Sequence, residues 1–178
     1  MIWTTDADGV VTYMSPGWYE FTGQVEPEAL NKGWAAALHP DHRSQAIEAF
    51  AAVRAQQVEF SMVYQLRRRT GDYAWVEVGA VPSFGPPGKT FIGYLGSVSQ
   101  IEKADGFRLD VGRFVPPPVH PATAPQTPLD MIADHLLMAH ALVDEDGAKA
   151  ALPGIRMAML EVGRAMANRT KLKAAGLH

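Results

Sequence analysis

The stretch from Glu59 to Gly79, EFSMVYQLRRRTGDYAWVEVG, constrains this chain more than any other. Two apolar runs flank a charged turn, Arg68-Arg69-Thr70-Gly71-Asp72. Phe60, Met62, Tyr64 and Leu66 alternate with Ser61, Val63, Gln65 and Arg67, which is the period of a strand. Tyr73, Trp75 and Glu77 alternate in the same way with Ala74, Val76 and Val78. Gly71 can take positive φ at little cost, so the two runs predict an antiparallel hairpin. Both of its faces carry apolar residues, and the hairpin therefore needs a layer packed on each side. Phe60 and Trp75 are expected in the core.

The 178 residues suffice for one medium domain and an appendage. A 47% apolar content with 9% aromatics excludes a disordered chain. A formal net charge of −3 leaves no basic footprint for nucleic acid. No apolar run spans a bilayer, and no basic segment followed by an apolar core opens the chain, so the sequence reads as cytoplasmic, with no membrane partner. The absence of cysteine excludes disulfides, thiolate metal sites, cysteine nucleophiles and flavin–cysteine photochemistry.

In chain order, Ile2–Thr5 and 10–14 read as paired strands around the turn Asp6-Ala7-Asp8-Gly9. Ser15 is expected to cap a short helix, 17–22, with Pro16 at its first position and Gly23 stopping it. Brief helical turns are expected between 27 and 38. A longer helix, 41–56, should turn Ile47 and Phe50 inward. After the central hairpin, 82–88 reads as a loop and 90–101 as a last strand. Five strands with helices on one face make an α+β domain with an antiparallel sheet.

These pieces resemble a PAS domain, the small sensor and interaction module of signalling proteins. The resemblance rests on TTDADGVVTYMSPGWYEFTG, LHPDH, YQLRRRTGDYAWVEVGAVP and FIGYLGSVSQI, in that order and at matching spacing across residues 2–102. It implies a PAS fold for residues 1–102. Three places depart from the family pattern. Ser15 stands where Asn usually precedes the proline, and Gln100-Ile101-Glu102 stands where Asp-Ile-Thr often couples the sheet to an output helix. The family's usual N-terminal flanking helix is not expected within these residues, whose first strand begins at Ile2.

Residues 103–126 hold five prolines, Pro116, Pro117, Pro118, Pro121 and Pro125, and are expected to form an extended linker. At 127–173 a helical hairpin is expected. Thr127, Pro128 and Asp130 make an N-terminal cap. Leu129, Ile132, Leu136, Ala139 and Val143 form one apolar stripe. Asp144 to Gly147 interrupts it, and Leu152, Ile155, Met159, Val162 and Met166 form a second, ahead of a basic end. Two helices cannot enclose a core alone. The hairpin either folds on its own sheet or joins a second copy as a four-helix bundle, and the three-four stepping of the stripes favours the bundle.

Several residues invite sharper readings. His39-Pro40-Asp41-His42 is expected to be a helix start capped by Asp41, with no metal, because two histidines do not complete a transition-metal shell. Haem-binding PAS domains resemble one another in a histidine on the helix before the central hairpin. That helix offers Ile47, Phe50 and Val53 here, so neither haem nor flavin is expected. Met14, Trp18, Phe21, Trp34, Phe50, Met62 and Tyr64 form a set facing the expected cavity, suited to a small apolar ligand or to plain core packing. His135 and His140 sit in ADHLLMAHALV, which lacks the charge pattern of a phospho-accepting histidine. His135 reads as a solvated residue and His140 as a neighbour of the apolar stripe.

The expected function is non-enzymatic signal transduction, through dimerisation or docking on a kinase or another regulator. The interface residues would be Leu129, Ile132, Leu136, Val143, Ile155, Met159, Val162 and Met166. A small-molecule sensor whose ligand controls the hairpin is the alternative.

Overall fold

A computed structural model describes residues 1–85 and 90–175. Six strands form one antiparallel sheet: β1 (Ile2–Thr5), β2 (Val11–Met14), β3 (Phe60–Arg67), β4 (Tyr73–Gly85), β5 (Thr90–Gln100) and β6 (Arg108–Val111), in the spatial order β2-β1-β5-β4-β3-β6. The central hairpin pairs Phe60 with Ala80 through Arg67 with Tyr73. Its turn is closed by Arg68 N–H to Asp72 O (2.7 Å) and Gly71 N–H to Arg68 O (2.9 Å), with Gly71 at φ 94°.

Helices α1 (Pro16–Thr22), α2 (Glu26–Ala29) and α3 (Pro40–Gln56) cover one face of this sheet. Ser15 does not cap α1. Its hydroxyl accepts from the Ile2 N–H at 3.0 Å and so ties the helix entry to β1. On α3 the inward positions are Ala46, Ala49 and Val53, with Phe50 partly buried. Ile47, expected inward, lies one step round the helix and is 43% exposed. Phe60 is fully buried, whereas Trp75 is only partly so, its ring lying 5.3 Å from that of His42 at the end of the sheet.

The sheet departs from the sequence expectation in two places. The sheet has a sixth strand, because residues 108–111 add to the free edge of β3, pairing Arg108 with Val63 through Val111 with Phe60. Strand β4 runs on to Gly85, so 82–85 of the loop expected at 82–88 are strand, and 86–89 lie outside the described residues. Pro82 pairs with Tyr94 of β5 but has no neighbour on the β3 side, because β3 has already ended at that level, and an open side tolerates a residue without an N–H.

The span 103–126 is more than a spacer. After β6 it crosses the sheet's second face as a strap. The Ser61 hydroxyl accepts from the Val115 N–H at 2.8 Å, and the Ser99 hydroxyl donates to Pro118 O at 2.6 Å. Phe114 is buried over Gly79, and Thr123 receives the Gln100 N–H at 3.1 Å. The strap delivers the chain to α4 (Pro128–Asp146), which ends at Gly147 and is followed by α5 (Leu152–Ala174).

The two helices form the expected hairpin, and they lie on the second face of their own sheet. Ile2, Tyr13, Val81 and Leu95 pack there against Ala133, Leu137, Ala141, Met159 and Met166. Of the two arrangements open to the hairpin, the intramolecular one is present in this chain. The inward face of α4 is also rotated from the expected stripe: Ala133, Leu137, His140 and Ala141 are buried, while Ile132 is 49% exposed. Leu137 and Ala141 belong to a second apolar series on a helix that is apolar nearly all round, so stepping alone does not choose between the faces.

Candidate functional site

The helical face of the sheet encloses a cavity of about 30 Å³, walled by β1, β2, β3 and α3 among others. Alternation in β3 aims Phe60, Met62 and Tyr64 into this layer, and the matching parity of β4 and β5 adds Val78 and Val98. Met14, Trp18, Trp34, Phe50, Met62 and Tyr64 all line it. Phe21 is buried in the same core but is not part of the wall. Such a volume holds one or two waters, so a larger guest requires side chains to move.

The wall is stiffened by rings and by two polar clamps. Phe50 meets Trp3, Trp34, Phe60 and Tyr94 with ring centres 6.0–6.2 Å apart. Trp18 donates its indole N–H to Gln24 Oε1 at 2.9 Å, and Gln24 Nε2 donates to Gly33 O at 3.1 Å. Tyr94 directs its hydroxyl at Val53 O and Val58 O, both 3.0 Å away, pinning the end of α3. Burial pushes the Tyr94 hydroxyl up to about 12 and raises the Tyr64 hydroxyl as well. Trp3, another wall residue, buries an indole N–H that has no acceptor among the described residues. A buried donor without a partner is costly.

Trp3, Thr5, Val11, Val78 and Val98 are wall residues that the sequence did not single out, and Phe60, expected in the core, also lines the wall. Strand parity was the available signal: Trp3 and Thr5 share a face, as Phe60 does with Met62 and Tyr64. Gln24 had no such signal, because its role depends on where Gly33 returns.

The two histidines before the central hairpin serve the backbone. His39 is the N-cap of α3, its Nδ1 accepting from the Asp41 N–H at 3.2 Å, which corrects the expectation that Asp41 would cap. His42 Nδ1 accepts from the Gln65 N–H at 3.2 Å and joins α3 to β3. Burial, and next the neighbouring His39, hold His42 below its ordinary imidazole range.

On the second face, His135 is exposed, with Nδ1 2.6 Å from Met131 O. His140 is buried, and Arg156 Nε donates to its Nε2 at 3.1 Å. Arg156 also donates to Glu59 Oε1 at 3.2 Å, so α4, α5 and the start of β3 meet at one polar cluster. Leu129, Leu136, Ile155 and Val162 are partly buried at the flanks of the helix–sheet core, Val143 is partly exposed, and Met159 and Met166 lie inside it. Glu77 is buried beside Val63 and takes Arg108 Nη2 at 2.9 Å, and burial raises its carboxyl above the ordinary range.

A family profile described as PAS fold matches residues 11–94. The chain carries a PAS domain. A PAS domain is a module of signal sensing or transduction. The chain is 38% identical over 96 residues to the uncharacterized protein y4lL of Sinorhizobium fredii, covering 54% of this chain. It spans 12% of that relative's length. Among solved structures, the N-terminal domain of a diguanylate cyclase with a PAS/PAC sensor from Marinobacter aquaeolei is 15% identical with a TM-score of 0.50, covering 56% of this chain and 92% of that one. The light-state LOV domain of the blue-light photoreceptor Aureochrome1 is 19% identical with a TM-score of 0.50, covering 57% and 81%. At these identities the likeness is one of fold. Among the described residues no helix is long and apolar enough to cross a membrane.

Proposed function

We propose that this chain is a non-enzymatic, cytoplasmic signalling module whose output is contact with another protein: a second copy, a kinase or another regulator. The observation that carries this reading is the outer surface of α4. Met131, Ile132 and Leu142 are 46%, 49% and 55% exposed on the side turned away from the sheet. A helix apolar on its inward side and on its outward side has more partners than its own fold supplies. Ile132 was already expected at an interface, and its exposure supports that role.

The test is Ile132→Asp with Leu142→Asp, which leaves the helix–sheet core untouched. Light scattering and affinity capture compare the variant with the wild type. Loss of a dimer or of a captured signalling protein supports the reading, and unchanged mass with unchanged capture overturns it. A wild type already monomeric removes the homodimer and leaves a regulator as the partner.

The unpartnered Trp3 indole favours a second reading, a sensor whose small ligand sits in the cavity. Intact mass of native against denatured protein separates the two, since a co-purifying guest supports the sensor.

A further inference from the structure

A cleft of about 150 Å³ lies on the opposite side of the sheet from the aromatic cavity, between the strands and α5. Thr4 and Thr12 line its floor with hydroxyl oxygens 2.8 Å apart, so these two groups share one hydrogen and keep another to donate. Ile92 and Leu160 supply apolar wall, and Arg164 and Lys171 stand over it from α5. The space exists because α5 presents Gly163 and Ala167 there. A Cβ built on Gly163 meets nothing closer than Thr4 Cγ2 at 4.0 Å, so a larger side chain would enter the cleft rather than the core. Glycine in the interior of a helix costs stability relative to alanine, which makes an empty space beneath one worth explaining.

The charges of the cleft do not balance. Asp6 is its wall carboxylate, and Oδ1 of that group already accepts the Asp8 and Val10 N–H groups at 3.0 and 2.9 Å. Arg164 reaches Glu161 Oε1 at 2.8 Å, but both side chains are about half exposed, and such surface pairs are readily redirected. The Lys171 ammonium has no hydrogen bond or ion pair to any described residue. Two cations, a spare hydroxyl hydrogen and an apolar wall fit a guest with an anionic head and a short hydrocarbon body. A guanidinium fork matches a carboxylate in particular. The apolar wall disfavours a fully hydrated inorganic anion, which would lose water there without return.

We infer that this cleft binds a short-chain aliphatic carboxylate, with Arg164 and Lys171 holding the carboxylate and Ile92 and Leu160 holding the chain. Because the cleft is built from β1, β2, β5 and α5, the guest clamps the helical hairpin onto the sheet, and its binding raises the unfolding midpoint.

Butyrate is the probe, titrated into the whole chain and followed by amide NMR shifts and by thermal unfolding. Saturable shifts at Thr4, Gly93 and Gly163, with a rising midpoint, are expected. Arg164→Ala with Lys171→Ala removes exposed charges only, and should weaken butyrate at least about tenfold. Gly163→Leu should abolish binding by filling the space. Inorganic phosphate at equal ionic strength should bind at least about tenfold more weakly, lacking a chain for the apolar wall. Absence of saturable shifts, undiminished binding by the double variant, or phosphate as strong as butyrate would each overturn the assignment.

Discussion

Phe60 sits where three constraints meet: the pleat of β3, the cavity wall and the aromatic group, with ring centres 6.0 Å from Phe50 and 5.4 Å from Tyr94. Phe60→Ala should therefore lower the unfolding free energy in urea by about 3–5 kcal/mol, with the far-UV spectrum retained. His42 gives a prediction in pH. Its Nδ1 must stay unprotonated to accept the Gln65 N–H, and its folded-state pKa lies below the ordinary 6.5. The unfolded chain then binds the proton more readily, so stability is complete above about pH 6.5 and is lost as pH falls through the lowered value. His42→Asn keeps an acceptor without a titrating ring, and should flatten the change in urea midpoint between pH 7.5 and pH 5. At this scale the sequence was legible for strand residues, whose parity fixes their face. It was less so for the histidines, where a plausible carboxylate cap at Asp41 lost to an imidazole one residue before the helix.

Helix α4 is anchored through its first turn. Asp130, fully buried, accepts from the Thr127 backbone and hydroxyl at its Oδ2 (3.3 and 2.7 Å), while the Tyr13 hydroxyl donates to its Oδ1 at 2.7 Å. Burial, and next that hydrogen bond, raise the Tyr13 hydroxyl. Asp130→Ala removes a cap and strands a buried hydroxyl, so it should cost about 2–4 kcal/mol, and limited proteolysis should cut the hairpin before the sheet. Equal protection of hairpin and sheet in the variant would show the anchor to be elsewhere. The capping box itself was readable from Thr127-Pro128-Leu129-Asp130, but its bond to β2 was not, since 117 residues separate Tyr13 from Asp130. Strand β6 was unreadable for a different reason. Arg108-Leu109-Asp110-Val111 is short and half charged, and becomes a strand only because β3 offers it an open edge.

In the whole molecule, the match to the PAS profile ends at residue 94, yet the second face of the sheet is closed only by residues up to Met166. A fragment of residues 1–102 keeps β1 to β5 and bares Ile2, Val81 and Leu95. It should bind an apolar dye and self-associate in light scattering, and a clean monomer without dye binding would show the hairpin to be dispensable. The strap across that face has a further consequence, for the order in which the protein is made. Strand β1 leaves the ribosome first but waits for β5, with Ile2 opposite Ser97. The last helical residue that closes the finished face, Met166, lies about 70 residues behind Leu95. At ~5–20 residues per second the nascent sheet's second face stays incompletely covered for roughly 4–14 seconds. Chaperone demand during synthesis should therefore rise whenever translation slows between residues 95 and 166.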